Sequence, residues 1–373
     1  MIRVSISGDF KAISPEKIVV SEELQAFFKN NAINVINFEA PVMTDSPAIE
    51  KSGPSLFQSE NSPSFLESLG FNLVSLANNH TLDYGVDALY NTIESFQEAQ
   101  TMGAGNWADA YKMKIFTVGD RKIGFMGLTH CEFGTLTDQW DRKNNIGCAW
   151  VNHNCVDELI VNCKQEVDAL IVFVHAGVEY VDFPLPEWRD RYRQLIKDGA
   201  DAVLASHPHV PQGWEEYDGK PVFYSLGNFC FQKENDIYPP YWNNSLCVLL
   251  EFDSNMNLSY RVNNIKYDAF KIDFCNDEEI NEHIKTCLSY LSDDSFYLSE
   301  VNKAVIRLLP HYYNLFKLGT NSIKCDGSFK SFLRFVKRTL FCKEEPSQLI
   351  NILRCESHRW CFQRALKNVH HLT

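Results

Sequence analysis

Short apolar runs alternate with amphipathic stretches from residue 2 to about residue 265. The runs at 2–7, 33–38, 72–76, 114–118, 122–128, 169–174, 202–205 and 222–225 are rich in Val, Ile, Leu and Phe and read as strands. Helical spacing fills several of the gaps, as at 63–69, 86–97 and 186–197. That alternation implies βαβ units and a largely parallel sheet. The runs 114–118 and 122–128, joined across Gly119-Asp120, read as a hairpin, as do 246–252 and 258–265, so the sheet is mixed. Residues 233–246 carry two prolines and read as a long surface loop. Beyond about 270 the pattern changes: 278–291, 297–309 and 346–366 have helical spacing, with no strand of comparable strength. The chain therefore divides into an α/β domain over 1–270 and a helical C-terminal region over 271–373, without internal repeats.

The polar residues that close the strands carry the functional signal. The run 2–7 leads into Gly8-Asp9, and 33–38 leads into Glu39. The third leads into Asn78-Asn79-His80, the run 169–174 into His175, and 202–205 into Ser206-His207-Pro208-His209. Ligands of α/β sheets gather outside the carboxyl ends of the strands. If these five strands are parallel neighbours, their carboxylate, amide and imidazole groups meet in one crevice. A mixed oxygen and nitrogen set suits Mn, Fe or Zn rather than Ca or Mg. No cysteine joins it, so it does not read as a structural zinc knot. Pro208 fixes the backbone between two imidazoles, which then face neighbouring ions.

Composition narrows the classes. The 373 residues are 45% hydrophobic, as in a folded chain, and the net charge of −13 argues against nucleic acid or anionic lipid as a partner of the whole molecule. From Gly327 onward nine Lys/Arg stand against three Glu. Within that basic tail, 329–341 sets apolar residues at helical spacing among Lys330, Arg334, Lys337 and Arg338. Such a helix either packs its apolar face on the main domain, the preferred reading, or associates weakly with an anionic membrane. The start of the chain shows no signal-peptide pattern, and no apolar run approaches the roughly 20 residues of a membrane span. The expectation is a soluble, cytoplasmic protein. The 12 cysteines are scattered and read as free buried thiols of a reducing compartment.

Four segments are recognisable: Asn-Phe-Glu-Ala-Pro-Val at 37–42, Leu-Ala-Asn-Asn-His-Thr-Leu-Asp-Tyr-Gly at 76–85, His-Ala-Gly-Val-Glu-Tyr at 175–180, and 207–229, which opens His-Pro-His-Val-Pro-Gln-Gly and closes Ser-Leu-Gly-Asn-Phe. In order and spacing they resemble motifs of the CapA/PgsA family of capsule (poly-γ-glutamate) synthesis, and Met-Gly-Ala-Gly-Asn at 102–106 fits as well. The resemblance covers about residues 1–265. It implies kinship with calcineurin-like metallophosphoesterases, hence an α/β, metallophosphatase-like four-layer sandwich of two mixed sheets flanked by helices, here with a helical C-terminal extension. It also implies a site for one or two divalent ions. By position, Asp9 and His209 would bind one ion, Asn79, His175 and His207 the other, and Glu39 would bridge them. His80 would act as general acid or oxyanion donor. Two positions depart from the phosphoesterase pattern: Lys11 stands where a His ligand belongs, and the bridging carboxylate is Glu rather than Asp.

Around this set, Asp83 either orients the His80 imidazole or caps the helix that starts near Tyr84-Gly85. Lys11, Asn78, Glu179, Tyr180 and Asn228 are candidate substrate contacts, with structural roles or a plain turn as the alternatives for Glu179, Tyr180 and Asn228. The implied function is metal-assisted hydrolysis of a phosphoester in capsule or poly-γ-glutamate biosynthesis, with an anionic polymer or phosphoester as substrate. The alternative is a non-catalytic polymer-binding or assembly module, which a lysine in a ligand position favours.

Overall fold

The computed structural model describes residues 1–137, 145–233, 239–318 and 346–372. Two mixed sheets dominate. In the first, Ile2–Lys11 pairs in parallel with Ile33–Phe38, which continues in parallel through Leu73–Ser75 to Gln100–Met102. On its other side the same strand pairs antiparallel with Asn244–Phe252, followed by Leu258–Asp268 and Lys271–Phe274. The second sheet runs Trp214–Tyr217, Lys220–Phe223, Ala202–Ser206, Ala169–His175, Arg121–Thr129 and Lys114–Val118. Its centre is parallel and its two edges are hairpins.

The layers follow from which residues are apolar on which face. Val4, Ile6, Val35 and Val248 of the first sheet meet Phe125, Ile171, Phe173 and Leu204 of the second in one core between the sheets. The other face of the first sheet is covered through Leu24, Phe28, Leu66 and Leu89, from the helices Glu22–Lys29, Ser62–Ser68 and Gly85–Ser95. Helices Val156–Lys164 and Pro186–Lys197 pack on the second sheet. The run Ala169–His175 is buried at every position, as a parallel strand between a sheet and helices requires. Two helices begin with proline in the first turn, where the missing N–H costs nothing, and Ser21 caps another by accepting the Leu24 N–H. The four-layer sandwich expected from the resemblance is the architecture observed.

Several local expectations change. The five strands that carry candidate ligands are not neighbours in one sheet. Three lie in the first and two in the second, and the site forms where the two sheets' carboxyl ends meet. The first strand does not stop at Ser7 but runs on to Lys11, with an irregular register between Ile6 and Asp9. Gly8 permits this, because a Cβ there would lie 1.8 Å from the Gly227 carbonyl oxygen. Residues 233–246 are not a simple surface loop: Trp242 is only 1% exposed and a strand begins at Asn244. The helical stretch 346–366 breaks at Cys355, whose extended backbone separates Pro346–Arg354 from Glu356–His370. The basic segment 329–341 lies outside the described residues.

The chain forms two compact units, one of residues 1–49 and 55–294, the other of 50–54 with the described residues from Ser295 on. The helix Glu278–Leu291, which the sequence pattern assigns to the C-terminal region, belongs to the first unit because Ile280 and Ile284 enter the core between the sheets. In the second unit Asn368 donates to the Asn302 side chain at 3.0 Å, tying its last helix to its first, Asp294–Leu318. Among the described residues no helix is long and apolar enough to cross a membrane. The 10 described cysteines form no disulfide with one another, and all but Cys155 are buried.

Gly8→Ala tests the close approach at the start of the site. The added methyl must displace backbone, so stability should fall by about 1–3 kcal/mol or more. A melting temperature equal to that of the wild type would contradict the packing.

Candidate metal centre

Asp9 is fully buried and joins the two sheets. One carboxylate oxygen accepts from the Asn37 amide at 2.7 Å, the other from the backbone N–H of His207 at 3.1 Å. His207 follows the strand Ala202–Ser206, and both it and His209 have positive φ, at 104° and 60°. Left-handed backbone costs a residue with a side chain roughly 1–3 kcal/mol. Here it turns the chain on either side of Pro208, and both imidazoles stay buried.

His175 ends the strand Ala169–His175 and is the hub. Its Nε2 lies 3.1 Å from the Asn79 side-chain oxygen and 3.1 Å from His207 Nδ1. Its Nδ1 lies 3.4 Å from Asp9 and 3.0 Å from Ser206 Oγ. Glu39, directly after Ile33–Phe38, has its Oε1 4.0 Å from His175 Nε2 and 3.7 Å from His209 Nε2. His209 Nδ1 is 3.7 Å from Asp9. Asp9, Glu39, Asn79, His175, His207 and His209 thus meet in one buried cluster. Within it, ligand atoms of Asp9, Glu39 and His175 all lie within 4.8 Å of one another.

The chemistry of the cluster fits a cation. Both Glu39 oxygens are buried and have no hydrogen-bond partner among the described residues. Burial, with the negative charge of Asp9 beside it, pushes the Glu39 carboxyl well above the usual carboxylate range. Burial acts on Asp9 in the same direction, but the His175 and His209 imidazoles outweigh it and hold Asp9 below its ordinary value. Burial also lowers His209, favouring the neutral imidazole that binds metal. The Asn228 side-chain oxygen, 2.9 Å from His209 Nδ1, favours the tautomer with the proton on Nδ1 by accepting its hydrogen bond, while the Asn228 amide donates to the carbonyls of His209 and Trp242. Nε2 is left facing Glu39. Fixing a ligand's tautomer from its far nitrogen is the usual outer support of a metal-binding His.

The remaining candidates separate by their contacts. His80 Nδ1 lies 2.6 Å from Asp83, which also accepts the Leu56 N–H at 2.7 Å. The helix Gly85–Ser95 has no side-chain cap, so Asp83 orients the imidazole and does not cap. Asn78 is scaffold rather than a substrate contact: its amide donates to Asn37 and to the Phe38 carbonyl, and its oxygen accepts the His80 N–H. Asn228 is likewise buried support, inside the strand Asn228–Phe231 rather than in a turn. Lys11 is buried, with its ammonium on the Gln232 carbonyl at 2.9 Å. Glu179 and Tyr180 are exposed, and the Tyr180 ring stacks 6.3 Å from that of His209.

Three neighbours escaped the sequence reading. Asn37 holds Asp9 from within a strand, a position with no strand-end signal. His130 follows Arg121–Thr129, donates its N–H to the His175 carbonyl at 3.2 Å, and packs edge-on against the His207 ring at 4.4 Å. It carries the same strand-end signature as the six clustered residues. Trp242, 4.8 Å from the His209 ring, was masked by its two neighbouring prolines.

The raised Glu39 sets a pH signature for the metal-free protein. A raised folded-state pKa means stability is full below the unfolded value near 4.3 and is lost as pH rises through the folded value. Glu39→Gln removes that loss, so the metal-free variant should melt above the metal-free wild type at pH 8, with the gain shrinking toward pH 4. A variant less stable at pH 8 would mean that Glu39 has a partner.

The family profile described as "Bacterial capsule synthesis protein PGA_cap" matches residues 9–233, a span that contains all six clustered side chains. The chain is 29% identical over 224 residues to "Capsule biosynthesis protein CapA" of Bacillus anthracis, covering 57% of this chain and 54% of that one. It is 31% identical over 206 residues to "PGA biosynthesis protein CapA" of Bacillus subtilis (strain 168), covering 53% and 52%. It therefore spans about half the length of the curated relatives it matches. A crystal structure of a hypothetical protein from Thermus thermophilus aligns with a TM-score of 0.46 at 16% identity, over 70% of this chain and 98% of that one. With the profile covering more than half of its length, the chain belongs to the bacterial capsule synthesis PGA_cap family.

Proposed function

We propose that this protein is a divalent-metal-dependent hydrolase of a phosphoester that serves capsule or poly-γ-glutamate biosynthesis. The process is taken from the names of the relatives. The chemistry rests on one observation: the Glu39 carboxylate, buried and without a hydrogen bond from any described residue, faces His175 and His209 beside Asp9. Asp9 and His209 would hold one ion, Asn79, His175 and His207 another, with Glu39 between them; Mn, Fe and Zn suit the donors. Bound ions of this kind polarise a phosphoryl oxygen and lower the pKa of a water. His80, oriented by Asp83, is the residue to protonate the leaving oxygen. Asp83 also fixes which ring nitrogen faces away from it, so the proton donor is pre-positioned. The substrate is an anionic polymer or a phosphoester. Cysteines that form no disulfide among the described residues fit a reducing, cytoplasmic setting.

A second reading is a polymer-binding or assembly module without turnover. Lys11 favours it, because a buried ammonium occupies the position of an expected ligand.

Elemental analysis and turnover of bis(p-nitrophenyl) phosphate test the proposal. The purified protein should carry about one or two equivalents of Mn, Fe or Zn. His175→Ala should lose metal and roughly 100-fold or more in rate. His80→Ala should keep the metal and lose about 10²–10⁴-fold. A wild type with no metal, unaffected by His175→Ala, would end the hydrolase reading. Bound metal with no turnover across phosphoesters and amides would select the polymer-binding module.

A further inference from the structure

One cation at the mouth of the metal centre has no role in the scheme above. Lys233 is half-buried, two residues beyond the strand Asn228–Phe231. Its ammonium lies over the Trp242 ring at 3.4 Å from the centroid and 5.8 Å from the Tyr180 ring. Both rings pack on His209, at 4.8 Å and 6.3 Å. The lysine is therefore seated on the wall that the expected ligand His209 shares.

Its partners make the position informative. No hydrogen bond or salt bridge joins the Lys233 ammonium to any described residue. Lys11, by contrast, is buried deeper and engages a carbonyl. Burial pushes the Lys233 pKa down, and Glu179 and Glu39 oppose that only through space. An ammonium taken partly out of water, braced by aromatic faces and left without a carboxylate, is a receptor for an anion that arrives from solvent.

We propose that Lys233, held on Trp242 and Tyr180, is the substrate-recognition residue of this site and binds an oxyanion of the substrate beside His209. The oxyanion is a carboxylate or a phosphate, since both present the same acceptor to an ammonium. This inference rests on the reading that the crevice takes an anionic substrate, and it assigns a residue and a contact to that reading. Trp242 and Tyr180 are positioning residues, acting through the lysine.

The test is calorimetric binding of two probes, inorganic phosphate and a γ-linked glutamate oligomer, to the manganese-loaded full chain. Lys233→Met keeps the apolar stem over Trp242 and removes the charge. It should weaken at least one probe by about tenfold or more, with metal content and melting temperature unchanged, and Lys233→Arg should restore most of the affinity. Loss confined to the glutamate oligomer assigns the lysine to a carboxylate, and loss confined to phosphate assigns it to the phosphoryl group. Equal affinities in wild type and Lys233→Met for both probes, or no binding of either probe by the wild type, would overturn the assignment. Turnover does not enter these readouts, so an inactive but anion-binding protein would end the hydrolase reading and leave Lys233 in place.

Discussion

A carboxylate buried without a partner is among the most expensive groups a fold can contain, because desolvation is not offset by hydrogen bonds or opposite charge. Among the described residues Glu39 comes near that limit: nothing hydrogen-bonds its oxygens, and the Lys11 charge opposes the desolvation only in part. Asp9 shows the contrast. Both carboxyls are fully buried in the same cluster, yet one is pushed up and the other held down. Asp9 accepts from Asn37 and from His207 and lies against two imidazoles, whereas Glu39 accepts from no described residue. Asp9 is consequently part of the scaffold even without an ion, and Glu39 is the group whose energy changes most when one binds.

The fold brings these residues together by closing two sheets at their carboxyl ends. Glycines allow backbones to touch there: Gly8 against Gly227, and Gly177 against Pro208, where a Cβ would meet the ring at 2.7 Å. Part of the chain's backbone strain falls in the same place. Tyr180, His207 and His209 all adopt positive φ, and all three lie in or beside the cluster. The hydrogen bond from the His207 N–H to Asp9 fastens that turn to the other sheet, so the imidazoles are held by the first sheet as well as their own. Such pre-organisation would let an ion bind without the chain having to order the side chains around it at that moment.

How much of this was legible in the sequence depended on whether a residue's role was local. Asp9, Glu39, Asn79, His175, His207 and His209 each come at or just after the end of an apolar run of the sequence, and that signature survives without any knowledge of the partner strands. The assembly from two sheets was not legible from strand ends alone, since two separate parallel sets look the same as one. Asn37 and Trp242 were invisible for a different reason. Their roles come from contacts across the fold, to Asp9 and to His209, and neither sits where strand periodicity marks a site. His130 shows the opposite failure, a strand-end histidine whose signal was present and unread. Asn78 and Asn228 share the residue type of a ligand or substrate contact, but their amides are used up inside the fold, by the Asn37 side chain and the Phe38 carbonyl for Asn78 and by the His209 and Trp242 carbonyls for Asn228.

The most direct measurement is anomalous diffraction from crystals of the protein grown with manganese. The account predicts an anomalous peak within roughly 2.0–2.3 Å of a Glu39 oxygen, with Asp9 or the clustered imidazoles completing the coordination. A crevice with no anomalous peak, in which Glu39 is protonated and hydrogen-bonded to water or protein, would contradict it.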